Sequence, residues 1–144
     1  SLGAQVLMLE RHRGVHLLLV DGLYRLGFNA ELDDIQHRLN LASGSLLDSS
    51  ASLSEFAPEV IYLDPMFPER SKSAKVKKEM VLFHDLVGDD ADADALLEPA
   101  LDIAECRVVV KRPKQAPHLA GKAPTTSHIG KSSRFDIYSK KAIS

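Results

Sequence analysis

Short apolar runs alternate with segments of helical periodicity along most of this chain. Residues 4–9 and 60–63 are apolar at nearly every position, which is typical of parallel strands that are covered on both faces. Residues 15–26 lie between two such runs and repeat their leucines at helical spacing. The alternation predicts an α/β fold in which helices cover a mostly parallel sheet.

The same periodicities predict the individual elements. Strands are expected at residues 4–9, 39–42, 60–63 and 107–111, followed by an antiparallel pair at 125–129 and 134–138. Helices are expected at residues 15–26, 76–87 and 94–105, the last with Asp94 as its N-terminal cap. With 144 residues and 44% hydrophobic content, the chain is predicted to form one domain, residues 1–144.

Composition excludes several classes of protein. No apolar run approaches the roughly 18 to 20 residues that cross a bilayer, so we expect a soluble protein that makes no membrane contact. Cys106 is the single cysteine, which excludes an internal disulfide and favours a reducing, cytoplasmic location. His12 and His16 could share a helix face, but no third ligand accompanies them, and we expect no metal site.

The net charge is −2, although two segments of the chain are strongly basic. Residues 70–78 carry five basic residues and no acid, and residues 107–144 carry nine basic residues with Asp136 as their only acid. Clustered Lys and Arg can form a local phosphate-binding surface on an otherwise acidic protein. An ordinary solvated face is the alternative, and the charges alone do not decide between them.

Polar and small residues follow three of the predicted strands. Ligands of parallel α/β sheets bind at the carboxyl ends of the strands, so these exits are the candidate site. Glu10 and Arg11 follow the first strand, and Glu10 has the position of an acid that accepts hydrogen bonds from a ribose diol. Gly44 and Ser45 follow the second strand, where a small turn permits close approach to a flat ligand. Either pair could equally be an ordinary solvated turn.

The third exit, Asp64-Pro65-Met66-Phe67, suggests a specific chemistry. The Asp64 carboxylate and the Pro65 carbonyl could accept the two N–H groups of an aromatic amine and orient its nitrogen. Phe67 could stack on the base that carries this amine. The alternative is a strand followed by a plain Asp-Pro turn, with Phe67 covering the core.

These residues belong to longer strings that resemble the small-subunit ribosomal RNA methyltransferase J family. The resemblance extends from Asp64 through residues 68–80, and then through Leu96-Leu97-Glu98-Pro99-Ala100, residues 107–113 and residues 134–138, so that it covers nearly the whole chain. Met66 stands where related amino-methyltransferase motifs usually have a second proline. The resemblance implies a class I, Rossmann-like methyltransferase fold with an antiparallel C-terminal strand, incomplete on its N-terminal side. We therefore expect the chain to be a C-terminal portion that lacks the first strand and the glycine-rich cofactor loop.

The resemblance also implies an activity, namely transfer of a methyl group from S-adenosylmethionine to the N2 amine of a guanine in 16S rRNA. The implied cofactor-binding residues are Glu10, Arg11, Gly44, Ser45 and Asp64, and the implied catalytic residues are Asp64, Pro65 and Phe67. The implied partner is 16S rRNA or the small ribosomal subunit. The predicted RNA-binding residues are all basic: Arg70, Lys72, Lys75, Lys77, Lys78, Lys111 and Arg112. The alternative is a non-catalytic RNA- or ribosome-binding module that retains the sheet without a cofactor site.

Overall fold

The computed structural model describes residues 3–48, 53, 55–66 and 92–142. The helix predicted at residues 76–87 lies outside these residues. The chain divides into two compact units, Ser1–Ser49 and Ser50–Ser144. That residues 1–144 form one domain stays a prediction. Each unit is described by itself below.

The first unit is a parallel strand pair with a connecting helix. Strand β1 (Val6–Glu10) pairs with β2 (Leu39–Ser43) in the register that sets Glu10 opposite Ser43. The long helix α1 (Arg13–Leu26) and the short helix α2 (Asp33–Gln36) lie between the two strands in the chain. Both strands were predicted from their apolar runs, and the structure confirms them with shifted ends.

Local sequence signals determine where α1 begins and which side it buries. His12 caps its first turn, because the Nδ1 atom of the imidazole accepts a hydrogen bond from the Val15 amide at 3.4 Å. Leu19, Leu23 and Leu26 are half-buried, so the predicted leucine stripe is the shielded side of the helix. The helix ends at Leu26, as Gly27 predicted.

The second unit contains a four-stranded sheet in the order β3-β4-β6-β5. Its strands are β3 (Val60–Leu63), β4 (Arg107–Pro113), β5 (Thr126–Ile129) and β6 (Ser133–Ser139). β3 runs parallel to β4, whereas β6 is antiparallel to both β4 and β5. The predicted C-terminal strand pair is thereby confirmed.

The core of this unit lies between the sheet and α3 (Leu97–Ile103). Burial alternates along β4, where Val108 and Val110 are fully buried while Val109 is only half-buried. Leu97 and Ala100 of α3 are also fully buried. This period of two means that β4 buries one face of the sheet against α3.

The approach to α3 differs from the sequence-based prediction. A 3₁₀ turn, Ala93–Leu96, precedes the helix, and Asp94 does not cap it. Its carboxylate instead accepts the amide of Ala120 at 2.7 Å. Ala120 has a φ of 52°, so this hydrogen bond helps to hold a residue whose backbone is left-handed. The prediction of an Asp94 cap was wrong because a distant amide binds this side chain.

A buried polar cluster joins β6 and β5 to the segment that follows β4. Asp136 is fully buried, and Arg134 donates to both of its carboxylate oxygens at 2.8 and 2.9 Å. Ser127 donates to the same carboxylate at 2.7 Å, and Nδ1 of His118 lies 2.9 Å from it. We call these four residues the Asp136 cluster. Arg134 also donates to the carbonyl oxygens of residues 114 and 116, so the cluster fixes the chain between β4 and β5.

The Asp136 cluster also controls ionisation of its carboxyl group. Burial by itself would raise the pKa of Asp136, but the hydrogen bonds from Arg134, His118 and Ser127 outweigh it and lower the pKa to about 2. Asp136 is therefore a stable carboxylate at neutral pH, and it neutralises the positive charge of Arg134, which is also largely buried.

Candidate active site

Two strand exits meet in the first unit, as parallel pairing requires. Glu10 ends β1, and its backbone carbonyl accepts the Gly44 amide at 3.2 Å, so the turn after β2 lies beside the end of β1. Gly44 has a φ of 128°, a conformation that favours glycine. The structure thus brings together the predicted residues Glu10, Gly44 and Ser45, with Arg11 directly after β1.

The Glu10 carboxylate is oriented by the backbone. Its Oε1 atom accepts the amide of His12 at 2.6 Å, and the side chain is half-buried. A carboxylate that is held in this way at a strand exit fits the hydroxyl groups of a ribose, because it needs no further ordering before it accepts them. The Ser45 hydroxyl donates instead to Asp48 at 2.9 Å and stabilises its own turn.

The second unit places Asp64 directly after β3. Pro65 is buried behind it, whereas the Asp64 side chain retains 48% of its exposure. The buried proline has a fixed φ and no amide donor, which stiffens the turn that carries the exposed acid. Asp64 is thus rigidly placed and accessible to a ligand. Phe67, the predicted stacking residue, lies outside the residues that the structure describes.

Lys111 is the neighbour of Asp64. Its Nζ atom lies 2.8 Å from Oδ2 of Asp64, and the ammonium group retains part of its exposure. The hydrogen bond to Asp64 raises the pKa of Lys111, so the ammonium group is charged at neutral pH. Burial, followed by the Asp64 charge, raises the pKa of the nearby Tyr62, whose hydroxyl therefore remains protonated.

The sequence contained a signal for this contact that the predictions did not use. Leu63 lies opposite Val110 in the parallel register, and both are the last apolar residues of their strands. Asp64 and Lys111 are the next residues of the two strands, so they are neighbours at the same edge of the sheet. Lys111 was predicted as an RNA contact, to phosphate or to the displaced nucleotide, and the structure pairs it with the candidate catalytic acid.

Arg112 has a different environment from Lys111. It retains only 3% of its exposure, and its guanidinium donates to the Pro117 carbonyl at 2.9 and 3.1 Å. Burial lowers the pKa of Arg112. Arg112 lies within β4 and Pro117 in the segment that follows it. This placement favours a structural role, in which Arg112 holds that segment, over the predicted RNA contact. The other predicted RNA-binding residues lie outside the described part of the chain: Arg70, Lys72, Lys75, Lys77 and Lys78.

Among residues 3–48, 53, 55–66 and 92–142, no three His, Cys, Asp or Glu side chains come close enough to bind a metal ion together. Within the same ranges, no helix has both the length and the hydropathy of a membrane span.

Comparison with known proteins identifies relatives over nearly the whole chain. A family model described as "Putative SAM-dependent methyltransferase" matches residues 1–140. The chain is 51% identical to the ribosomal RNA small subunit methyltransferase J of Chromohalobacter salexigens, with 99% of this chain and 57% of that protein covered. For the protein of the same name from Marinobacter nauticus, the identity is 52% and the coverage 99% and 51%.

A solved structure shares the fold. A SAM-dependent methyltransferase from Neisseria gonorrhoeae matches with a TM-score of 0.75 and 41% sequence identity, over 96% of this chain and 54% of that protein. The chain thus spans about half the length of the relatives that it matches. The predicted Rossmann-like methyltransferase fold is confirmed, and the chain belongs to the family of SAM-dependent methyltransferases.

Proposed function

We propose that the protein transfers a methyl group from S-adenosylmethionine to the exocyclic N2 amine of a guanine in 16S rRNA. The placement of Asp64, an exposed acid on a stiff turn at the exit of β3, is the observation that carries this proposal. The names of the relatives from Chromohalobacter and Marinobacter support small-subunit rRNA as the substrate. Such an enzyme would work in the cytoplasm.

The residues at the first two exits fit the cofactor. When bound, S-adenosylmethionine supplies an electrophilic methyl group. Glu10 would hold its ribose hydroxyls through a carboxylate that the His12 amide already orients. The turn at Gly44 and Ser45 would lie along the adenine, since a glycine has no side chain to obstruct a flat ring. Arg11 remains a predicted cofactor contact.

Asp64 and Pro65 would act on the acceptor amine. The lone pair of an aromatic amine is delocalised into its ring, which makes the nitrogen a weak nucleophile. Asp64 would accept one N–H of N2 and the Pro65 carbonyl would accept the other, so that both orient the nitrogen. The proton that N2 loses on methylation would already be hydrogen-bonded to one of these acceptors.

Replacing Glu10 by Gln in the full-length protein tests the cofactor assignment. Gln keeps the acceptor for the His12 amide but removes the charge, so we expect the Kd for S-adenosylmethionine to rise about 10- to 100-fold. Isothermal titration measures this change, with Glu31→Gln, an exposed acid in the same unit, as the control. If full-length wild-type protein bound no cofactor at millimolar concentration, the non-catalytic RNA-binding module would be the correct function.

The predicted RNA contacts in residues 70–78 have a separate test. Changing Lys75 and Lys78 together to Ala should weaken RNA binding and reduce the slope of log Kd against log salt by about 1.4, because about 0.7 is lost per phosphate contact on a single strand. Titrations at several salt concentrations measure the slope. An unchanged slope would show that these two lysines are only solvated.

A further inference from the structure

The ion pair between Asp64, directly after β3, and Lys111, within β4, presents a defined row of hydrogen-bonding groups. Asp64 contributes two acceptor oxygens, and Nζ of Lys111 lies 2.8 Å from one of them. The order along the row is therefore acceptor, acceptor, donor. Both side chains are partly exposed, so the row is accessible to a ligand.

Among the four RNA bases, guanine has the complementary edge. Its Watson–Crick edge presents the N2 amine and N1–H as donors, followed by O6 as an acceptor. Adenine and cytosine present a ring-nitrogen acceptor next to their amine. This nitrogen would face a carboxylate oxygen of Asp64 with no hydrogen between the two atoms. Uracil has no exocyclic amine. A site that leaves a buried polar group unpaired rejects such a base strongly.

From this complementarity we infer that Lys111 is a specificity-determining residue that reads O6 of the target guanine while it positions Asp64. Oδ2 of Asp64 accepts both the Lys111 ammonium and N1–H, and Oδ1 accepts one N–H of the N2 amine. The ammonium then donates to O6. The inference rests on the proposed methyl transfer to N2 and deepens it, because it assigns the choice of base to a residue that the sequence had indicated only as an RNA contact.

Charge supports this role over general phosphate attraction. The hydrogen bond from Lys111 to Asp64 holds the ammonium at the exit of β3. Lys114 lies three residues further along the chain, is exposed, and makes no side-chain hydrogen bond in the described residues. A cation that serves only to attract RNA needs no such pairing, whereas a reader of a base edge must be fixed relative to the acceptors beside it.

A double-mutant cycle, with one change in the protein and one in the base, tests the inference. Full-length wild-type protein and its Lys111→Met variant are compared on a 16S rRNA fragment with either guanine or 6-thioguanine at the methylated position, which mass spectrometry locates. 6-Thioguanine keeps the N2 amine and N1–H but replaces O6 by sulfur, a weaker hydrogen-bond acceptor. We expect Lys111→Met to weaken binding of the guanine RNA about fivefold more than binding of the 6-thioguanine RNA, and to reduce methyl transfer in the same ratio.

Lys114→Met is the matched control. It should weaken the binding of both RNAs equally and only slightly. Equal losses for the two RNAs in the Lys111→Met variant would overturn the role of Lys111 in reading O6, even if guanine is still methylated. Absence of methyl transfer from the wild-type protein to guanine RNA would instead overturn the proposed function, and this inference with it.

Discussion

Asp64→Asn is expected to reduce the rate of methyl transfer at least about 100- to 1,000-fold, the loss seen when one oriented hydrogen-bonding group is removed from an active site. The amide replaces one of the two acceptor oxygens by a donor, so it can no longer accept from both N1–H and N2. It also loses the charge that binds Lys111 at 2.8 Å. Single-turnover transfer from S-adenosylmethionine to 16S rRNA measures the change.

The same substitution should leave the fold intact. Asp64 is 48% exposed, and surface substitutions of this kind change the free energy of unfolding by about 0.5 kcal/mol or less. Asp102→Asn, at an exposed acid of α3, is the matched control and should retain wild-type rates. A variant of Asp64 that kept more than a tenth of the activity would show that this carboxylate does not hold the amine.

Asp136→Asn is expected to destabilise the fold by about 3 kcal/mol. The substitution removes the negative charge that neutralises Arg134 and leaves the largely buried guanidinium without a counter-charge, a change that typically costs 3–5 kcal/mol. Denaturant unfolding measures the loss. Glu98→Gln breaks an ion pair of similar length, 2.9 Å to Lys122, but at the surface, where we expect less than about 1 kcal/mol.

The Asp136 cluster also predicts a dependence on pH. The pKa of Asp136 is lowered to about 2 from an ordinary value of 3.8, so its stabilising contribution is complete above that ordinary value and is lost as the pH falls through about 2. The wild-type protein should lose stability over this interval more steeply than Asp136→Asn. Equal slopes would mean that Asp136 titrates alike in the folded and unfolded chain.

Sequence patterns predicted those parts of the fold that depend on local periodicity. The apolar run at β3 gave its bounds, and the turn at Gly130 and Lys131 gave the antiparallel pair, because neither signal needs knowledge of distant residues. Asp64 could also be predicted as a site residue, because the sequence alone shows that it directly follows a buried strand.

Features that depend on distant side chains were not predicted. Asp94 binds the amide of Ala120, 26 residues away, and Arg112 turns inward to Pro117. Asp136 appeared in the sequence only as one acid among basic residues, although its spacing from Arg134 places both on the same face of β6. A basic residue after a strand can be solvated, bind phosphate or pair with an acid, and only the neighbouring strand decides among these outcomes.

The order of the strands has a consequence for handling the protein. Among the described residues, β1 pairs with β2 alone and β3 lies at one edge of its sheet, so each has one side that presents backbone N–H and C=O groups to no neighbouring strand. Val6 of β1 and Val60 and Tyr62 of β3 are exposed apolar residues on these two strands. Open edges with apolar side chains act as templates for intermolecular strand addition. Preparations of this chain should therefore aggregate more readily as the protein concentration rises.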